Sequence, residues 1–259
     1  MASGKSTKRR RKKDQRRARM EQELQRQRAR RRTSLIIGLA LIALAVAAFY
    51  YQANASRDAA QTTTDGCTHS QPAKGNAETP AAPPPMTIDP AKTYMAVIDT
   101  SCGSIEIELA AATSPNTVNS FVFLARQGFY NGLEFHRIVR DFAIQGGDPM
   151  GNGTGSSNYK TLDPPPPGFT YVQGTVAMAK TQAEPPGTGG SQFFIVPGNA
   201  AAATLTPDYA VLGKVVGGQD AVSRLNSVAT EPADPQNPAS ERSAPVRPVY
   251  IRTITVRES

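Results

Sequence analysis

The 259-residue chain can hold one ordinary domain with extra segments, or two small domains. Its net charge of +8 is unevenly spread: residues 1–32 carry fifteen Lys or Arg against three acids, and removing that +12 leaves −4 for the rest. A mildly acidic body gives no charge-based case for binding nucleic acid, and two cysteines with two histidines are too few for a repeated zinc-ligand pattern.

Residues 1–33 are charged, Gln-rich and almost free of apolar side chains. They cannot bury a core, so they read as a solvated or loosely helical tail. Gly4-Lys5-Ser6-Thr7 imitates the end of a phosphate-binding loop, but no earlier glycine or strand precedes it. Residues 34–51 follow as an uncharged apolar run, LIIGLALIALAVAAFYY from Leu35, long enough to serve as a transmembrane helix. Arg28, Arg30, Arg31 and Arg32 crowd its near end, and Tyr50 and Tyr51 sit at its far end. Positive charge stays inside and aromatic rings mark the interface, so the tail is expected in the cytoplasm and the rest of the chain outside it. Ala53-Asn54-Ala55 leaves cleavage as a signal peptide open, although the charged region ahead is long for one.

Residues 52–90 are rich in Ala, Thr, Gln and Pro and read as an extended linker that holds a domain off the membrane. Cys67 lies in this linker, and Cys102 lies a short way beyond its end. In an oxidising compartment the two can form a disulfide; otherwise they are independent thiols.

From residue 91 to 259 the texture is that of a folded domain. Thr93–Asp99 and Ser104–Leu109 alternate apolar with polar residues around Ser101-Cys102-Gly103, which predicts a hairpin. Ser114-Pro115 opens a helix, with Ser114 as cap and Pro115 at the first position, an apolar stripe of Val118, Phe121, Val122 and Ala125, and Gly128 near its end. Further strands are expected at Phe135–Ile138, Phe142–Gln145, Thr175–Ala179, Gln192–Val196, Val211–Val216 and Val249–Val256, with a second helix at Gln219–Val228. Eight short strands and two helices predict a mostly β fold, a closed eight-stranded antiparallel barrel capped by the helices.

Several blocks then become specific. Phe135-His136-Arg137-Ile138, Phe142-Ala143-Ile144-Gln145-Gly146-Gly147-Asp148 and Gly151-Asn152-Gly153-Thr154-Gly155 resemble the signature stretch of cyclophilins. Val176-Ala177-Met178-Ala179, Gly190-Ser191-Gln192-Phe193-Phe194-Ile195 and Leu212-Gly213-Lys214-Val215 resemble further blocks of that family in the same order. The resemblance spans about residues 92–257 and implies a peptidyl-prolyl cis-trans isomerase. Such an enzyme rotates an X–Pro bond against an uncatalysed barrier of roughly 18–20 kcal/mol, and needs no nucleophile, metal or cofactor. It needs a site that binds the twisted amide better than either planar form.

By that resemblance Arg137 is the catalytic arginine, and Gln145 bonds the substrate backbone and helps hold the guanidinium. Phe142, Phe194 and Leu205 line the apolar pocket for the proline ring, and Ala179 lies on the edge along which substrate backbone runs. Tyr209 stands where animal members carry histidine. His136 is expected to be a structural, hydrogen-bonded residue, and Phe193 to point away from Phe194 into the core. Ala143, in the pocket, replaces a common Met; Lys180 and Thr181 replace Asn-Ala; Thr204 replaces a tryptophan that helps bind cyclosporin. Weak cyclosporin binding is expected in consequence. The implied partners are proline-containing unfolded or extended polypeptides, with the bilayer through one span. The implied function is isomerisation in exported proteins at the outer face of a membrane, in an Ala- and Arg-rich chain that reads as bacterial. A non-catalytic proline-binding module or chaperone, motivated by those departures, and a lipid- or RNA-binding role for the tail are the competing readings.

Overall fold

The computed structural model describes residues 66–76, 78–199, 204–231 and 243–258. The basic tail, the apolar run 34–51 and the Ala53-Asn54-Ala55 sequence lie outside the described residues. Among the described residues, no helix is long and apolar enough to cross a membrane.

The hairpin forms where alternation predicts it. Strand β1 (Tyr94–Thr100) and β2 (Gly103–Leu109) pair antiparallel from Tyr94 opposite Leu109 to Thr100 opposite Gly103. Every second residue of β1 is buried, as period-2 geometry requires of a strand with one face on the core. Helix α1 (Pro115–Arg126) begins with proline in its first turn, and Val118, Phe121, Val122 and Ala125 are buried. Ser114 makes no side-chain cap; the Asp163 carboxylate instead accepts from the Thr117 amide at 2.6 Å and the Asn116 side chain at 3.0 Å. A carboxylate at a helix start satisfies orphan donors and faces the positive end of the dipole.

The remaining elements are β3 (Arg137–Val139), β4 (Ala143–Gly146), β5 (Thr161–Leu162), β6 (Thr175–Met178), β7 (Thr188–Gly189), β8 (Phe193–Ile195), β9 (Val211–Gly217), α2 (Gln219–Ser227) and β10 (Ile251–Glu258). Eight strands form one antiparallel sheet in the order β10-β1-β2-β9-β6-β8-β4-β3, and β5 with β7 makes a separate two-stranded ribbon. All eight strands read from the sequence are in the large sheet; the two-residue ribbon strands are too short to carry a periodic signal.

The expected barrel closure takes a different form. The edge strands β3 and β10 do not pair with each other; the sheet is a curled half-barrel. Its gap is spanned by the stretch before β3. Gly132 and Phe135 donate to Ile251 and Val249, Ile251 donates back to Leu133, and Glu134 bridges Tyr250. The Phe135–Ile138 stretch thus splits its bonding, with its first half facing the chain end and its second half starting β3.

The segment read as a spacer also departs from expectation. Residues 66–76 and 78–90 lie along the domain as a strap. Cys67 is bonded to Cys102 in the β1–β2 turn, with both side chains buried. Thr68 donates its amide to Ser101 and accepts from Arg252, while the His69 ring bonds the Pro248 carbonyl. Gly75 donates to Asn131 and sits so close that a β-carbon would collide with the Gly128 carbonyl. Farther on, Thr79 bonds Asn158, and Asn119 on α1 holds Pro84, Pro85 and Thr87. Ile88 then enters the main core.

Candidate active site

Sheet alternation separates two apolar clusters. Val176, Met178, Phe193, Ile195 and Ile144 belong to the main core, whereas Ala177, Phe194, Val196 and Ala143 belong to a second cluster on the opposite face. Phe193 therefore points away from Phe194, as expected, and makes edge contacts with Phe121, Tyr130 and Phe135.

The second cluster brings together every apolar residue assigned to the substrate. Ala143, Phe194, Phe142, Ala179, Leu205 and Tyr209 share it with Tyr171, Phe169 and Val211. The first two are buried, and the next four are half-buried, so the cluster presents an apolar surface to its surroundings. Phe194 and Tyr209 meet edge to face at 5.4 Å.

Strand register lays the polar residues beside this cluster. Arg137 on β3 is opposite Gln145 on β4, Gln145 is opposite Phe194 on β8, and Phe194 is opposite Ala177 on β6. Directly opposed residues share a face, so guanidinium, amide and aromatic ring form one cross-strand row. Arg137 Nη1 lies 3.4 Å from Gln145 Oε1. The orientation of that amide follows from its neighbours. Gln192 donates Nε2 to the Gly153 and Gly155 carbonyls at 3.0 and 2.6 Å, which turns its Oε1 toward Gln145. Gln145 must then donate its Nε2, at 2.8 Å, and present its oxygen to Arg137.

The glycine-rich stretch after β4 anchors this chain of dipoles. Buried Asp148 accepts from the amides of Met150, Asn152 and Gly153, fixing the loop whose carbonyls hold Gln192. Gly147 has φ +85°, and a β-carbon there would stand 2.5 Å from the Ser191 carbonyl, so the turn needs glycine.

This geometry agrees with sequence comparison. The profile described as cyclophilin type peptidyl-prolyl cis-trans isomerase/CLD matches residues 95–256. The chain belongs to the cyclophilin family of peptidyl-prolyl cis-trans isomerases. Peptidyl-prolyl cis-trans isomerase B of Streptomyces anulatus is 36% identical over 183 residues, covering 64% of this chain and 98% of that protein. Peptidyl-prolyl cis-trans isomerase-like 2 of Rhizopus delemar is 38% identical over 167 residues, which are 63% of this chain but only 28% of that longer protein. A crystal structure of a Cryptosporidium parvum cyclophilin in the presence of the dipeptide Ala-Pro matches with a TM-score of 0.55 and 27% identity, over 64% of this chain and 99% of that one.

Within the cyclophilin domain, three features of the site escaped the sequence reading. Tyr171 is fully buried, and its hydroxyl donates to the Tyr209 carbonyl at 2.7 Å and accepts from the Tyr209 amide at 2.8 Å. Burial pushes this phenol up to about 12, so it remains a protonated donor at any ordinary pH. The Phe169-Thr170-Tyr171 alternation carried that signal, masked by the prolines before it. Gln192 stands two residues before Phe194, on the same face by strand period. Lys180, a departure from the family pattern, is nearly buried against Asp208. Two cavities of about 660 and 320 Å³ border α2, and neither includes Arg137, Gln145 or Phe194.

His136 departs from one expectation, since no close hydrogen bond holds either ring nitrogen among the described residues, although the Glu134 backbone acts weakly on the ring. Burial lowers its pKa below 6.5, the adjacent Arg137 cation pushes the same way, and Asp148 opposes them. A base with a depressed folded-state pKa gains its proton first in the unfolded chain. Stability is therefore full above 6.5 and falls as pH drops through 6.5 toward the folded-state value. Urea midpoints measured just below 6.5 should decline with pH, and His136→Gln should flatten that decline.

Proposed function

We propose that this cyclophilin domain accelerates X–Pro rotation in exported polypeptides through Arg137, Gln145 and the Phe142/Ala143/Phe194/Leu205/Tyr209 surface, without covalent chemistry. The observation that carries the reading is the row Arg137–Gln145–Phe194, a fixed cation beside an apolar surface. When amide resonance is lost, the proline nitrogen becomes pyramidal and gains a lone pair. A guanidinium stays charged and donates in a rigid fork, so it stabilises that nitrogen most in the twisted state. The prolyl ring rests on Phe194 and its neighbours, and substrate backbone runs beside Ala179. The Cryptosporidium relative crystallised with Ala-Pro supports a proline-containing ligand.

The apolar run at 34–51, with arginines before it, supports a single-pass anchor with the catalytic domain outside the cytoplasm of a bacterial cell. A disulfide between Cys67 and Cys102 suits such an oxidising compartment. Slow X–Pro isomerisation limits folding, so an isomerase placed where chains emerge has clients there. Exchange NMR on a proline peptide with the full-length chain and its Arg137→Ala variant tests the reading. Accelerated exchange that the variant loses supports it. Binding with exchange at the solvent rate would make the domain a non-catalytic binder.

Cyclosporin should inhibit weakly, because exposed Thr204 stands where animal members carry tryptophan. Thr204→Trp should tighten inhibition in a dose–response assay. Inhibition as strong in the unmodified chain as in tryptophan-bearing members would count against this.

A further inference from the structure

An ammonium lies buried at the border of the apolar cluster. The Lys180 side chain is only 2% exposed, yet its Nζ is 2.5 Å from Asp208, 3.0 Å from the Glu184 carbonyl and 3.2 Å from the Thr181 carbonyl. It also stands 5.6 Å from the centre of the Tyr209 ring. We propose that Lys180 is a positioning residue that locks Tyr209 against Phe194 and so preforms the proline-binding surface. This deepens, and rests on, the reading of that surface as the substrate site.

Tyr209 is gripped from three directions. Tyr171 bonds both its amide and its carbonyl, which fixes the backbone. Phe194 meets its ring at 5.4 Å with planes 87° apart, and Tyr171 meets it at 6.0 Å with planes 77° apart. These contacts hold the backbone and two sides of the ring, and the ammonium supplies a further attachment. A cation near the ring does so through the quadrupole, and more strongly where water is excluded. The same cation pairs with the carboxylate of Asp208, the residue just before Tyr209, so one side chain holds both the ring and its chain neighbour.

The surroundings hold the ammonium in place. Glu184 accepts from the Thr181 amide at 2.7 Å and hydroxyl at 3.0 Å, and pairs with Lys160 at 2.9 Å. These bonds close the 181–184 turn and aim the Glu184 carbonyl at Lys180. A buried ammonium with a carboxylate, two carbonyls and a ring is compensated, whereas an isostere without charge would fill the space and attract nothing.

An ordered Tyr209 aids binding of the planar and twisted amide alike, so its loosening should weaken KM and spare kcat. Lys180→Met in the full-length chain should raise KM for a proline peptide about tenfold with kcat within about twofold, whereas loss of the arginine acts on kcat. Lys180→Arg, which keeps the cation, should recover most of the KM. An unmoved KM in Lys180→Met, equal damage from Met and Arg, or a fall in kcat with KM unmoved would each overturn the inference. Should Lys180→Met fail to fold, Asp208→Asn serves, since that side chain is 31% exposed and an amide oxygen can still accept from the ammonium. It should raise KM in the same direction, and an unchanged KM would overturn the inference. Arg137→Ala run in parallel separates the two readings. If it loses activity while Lys180→Met is normal, only the role given to Lys180 fails; if it is as active as the unmodified chain, the site reading beneath fails.

Discussion

Arg137→Ala is expected to lower kcat/KM by roughly 10²–10³, almost all of it in kcat, with no change in fold. The magnitude is that of removing one preorganised donor aimed at charge that develops only in the transition state. It is asked of a single side chain because nothing else in the row is cationic: in the proposed mechanism Gln145 and Gln192 would supply dipoles, and Phe142, Phe194 and Leu205 contact. On the proposed mechanism those neighbours would bind planar and twisted amide nearly alike and so set KM, whereas the lone pair that Arg137 would meet exists only part-way through rotation. The fold should survive because Arg137 is half-buried and shares the sheet face of the second cluster, not of the main core. Arg137→Lys should fall between, keeping charge but losing the planar fork that Gln145 orients. Exchange NMR gives the rate, and a thermal unfolding curve verifies that the variant is folded. An Arg137→Ala chain as fast as the unmodified one would leave the mechanism without its cation.

The elements that could be read in advance are those whose information is local. The alternation of β1 and β2 and the Ser114-Pro115 helix start appear in the structure within a residue or two. The opposed directions of Phe193 and Phe194 follow from strand period alone. What could not be read is held by partners distant in sequence. Helix α1 is capped by Asp163, not by Ser114. The gap between the edge strands is crossed by residues 132–135 pairing with 249–251, which no periodicity announces. The same division runs through the site. The residue types of the row were legible in the resemblance, but the direction of the Gln145 amide depends on where Gln192 and the 148–155 loop stand. Lys180 looked like a loss of the family's pattern because its compensation, Asp208 and the Tyr209 ring, lies almost thirty residues away.

Replacing Cys67 and Cys102 together by serine, or reducing the bond, is expected to cost about 3–4 kcal/mol of stability and leave turnover nearly unchanged. The bond closes a loop with a sequence separation of 35, and the entropy that such a link removes from the unfolded chain sets this scale. Composition made the segment a linker because it offers few apolar residues, and its attachment depends on this bond, a series of backbone and side-chain hydrogen bonds, and Ile88. Without the bond, the Thr68 amide on Ser101 and the Gly75 amide on Asn131 should lose hydrogen-exchange protection before the sheet does. Turnover should hold because the strap's anchors, Ser101, Asn119, Asn131, Asn158 and Arg252, are all outside the cluster that contains Phe194 and Tyr209. Urea unfolding and exchange NMR on the same samples separate the two effects. A double variant as stable as the parent would mean that the strap holds without its covalent tie; a variant that loses stability and turnover in equal measure would mean that the strap, despite its position, shapes the site.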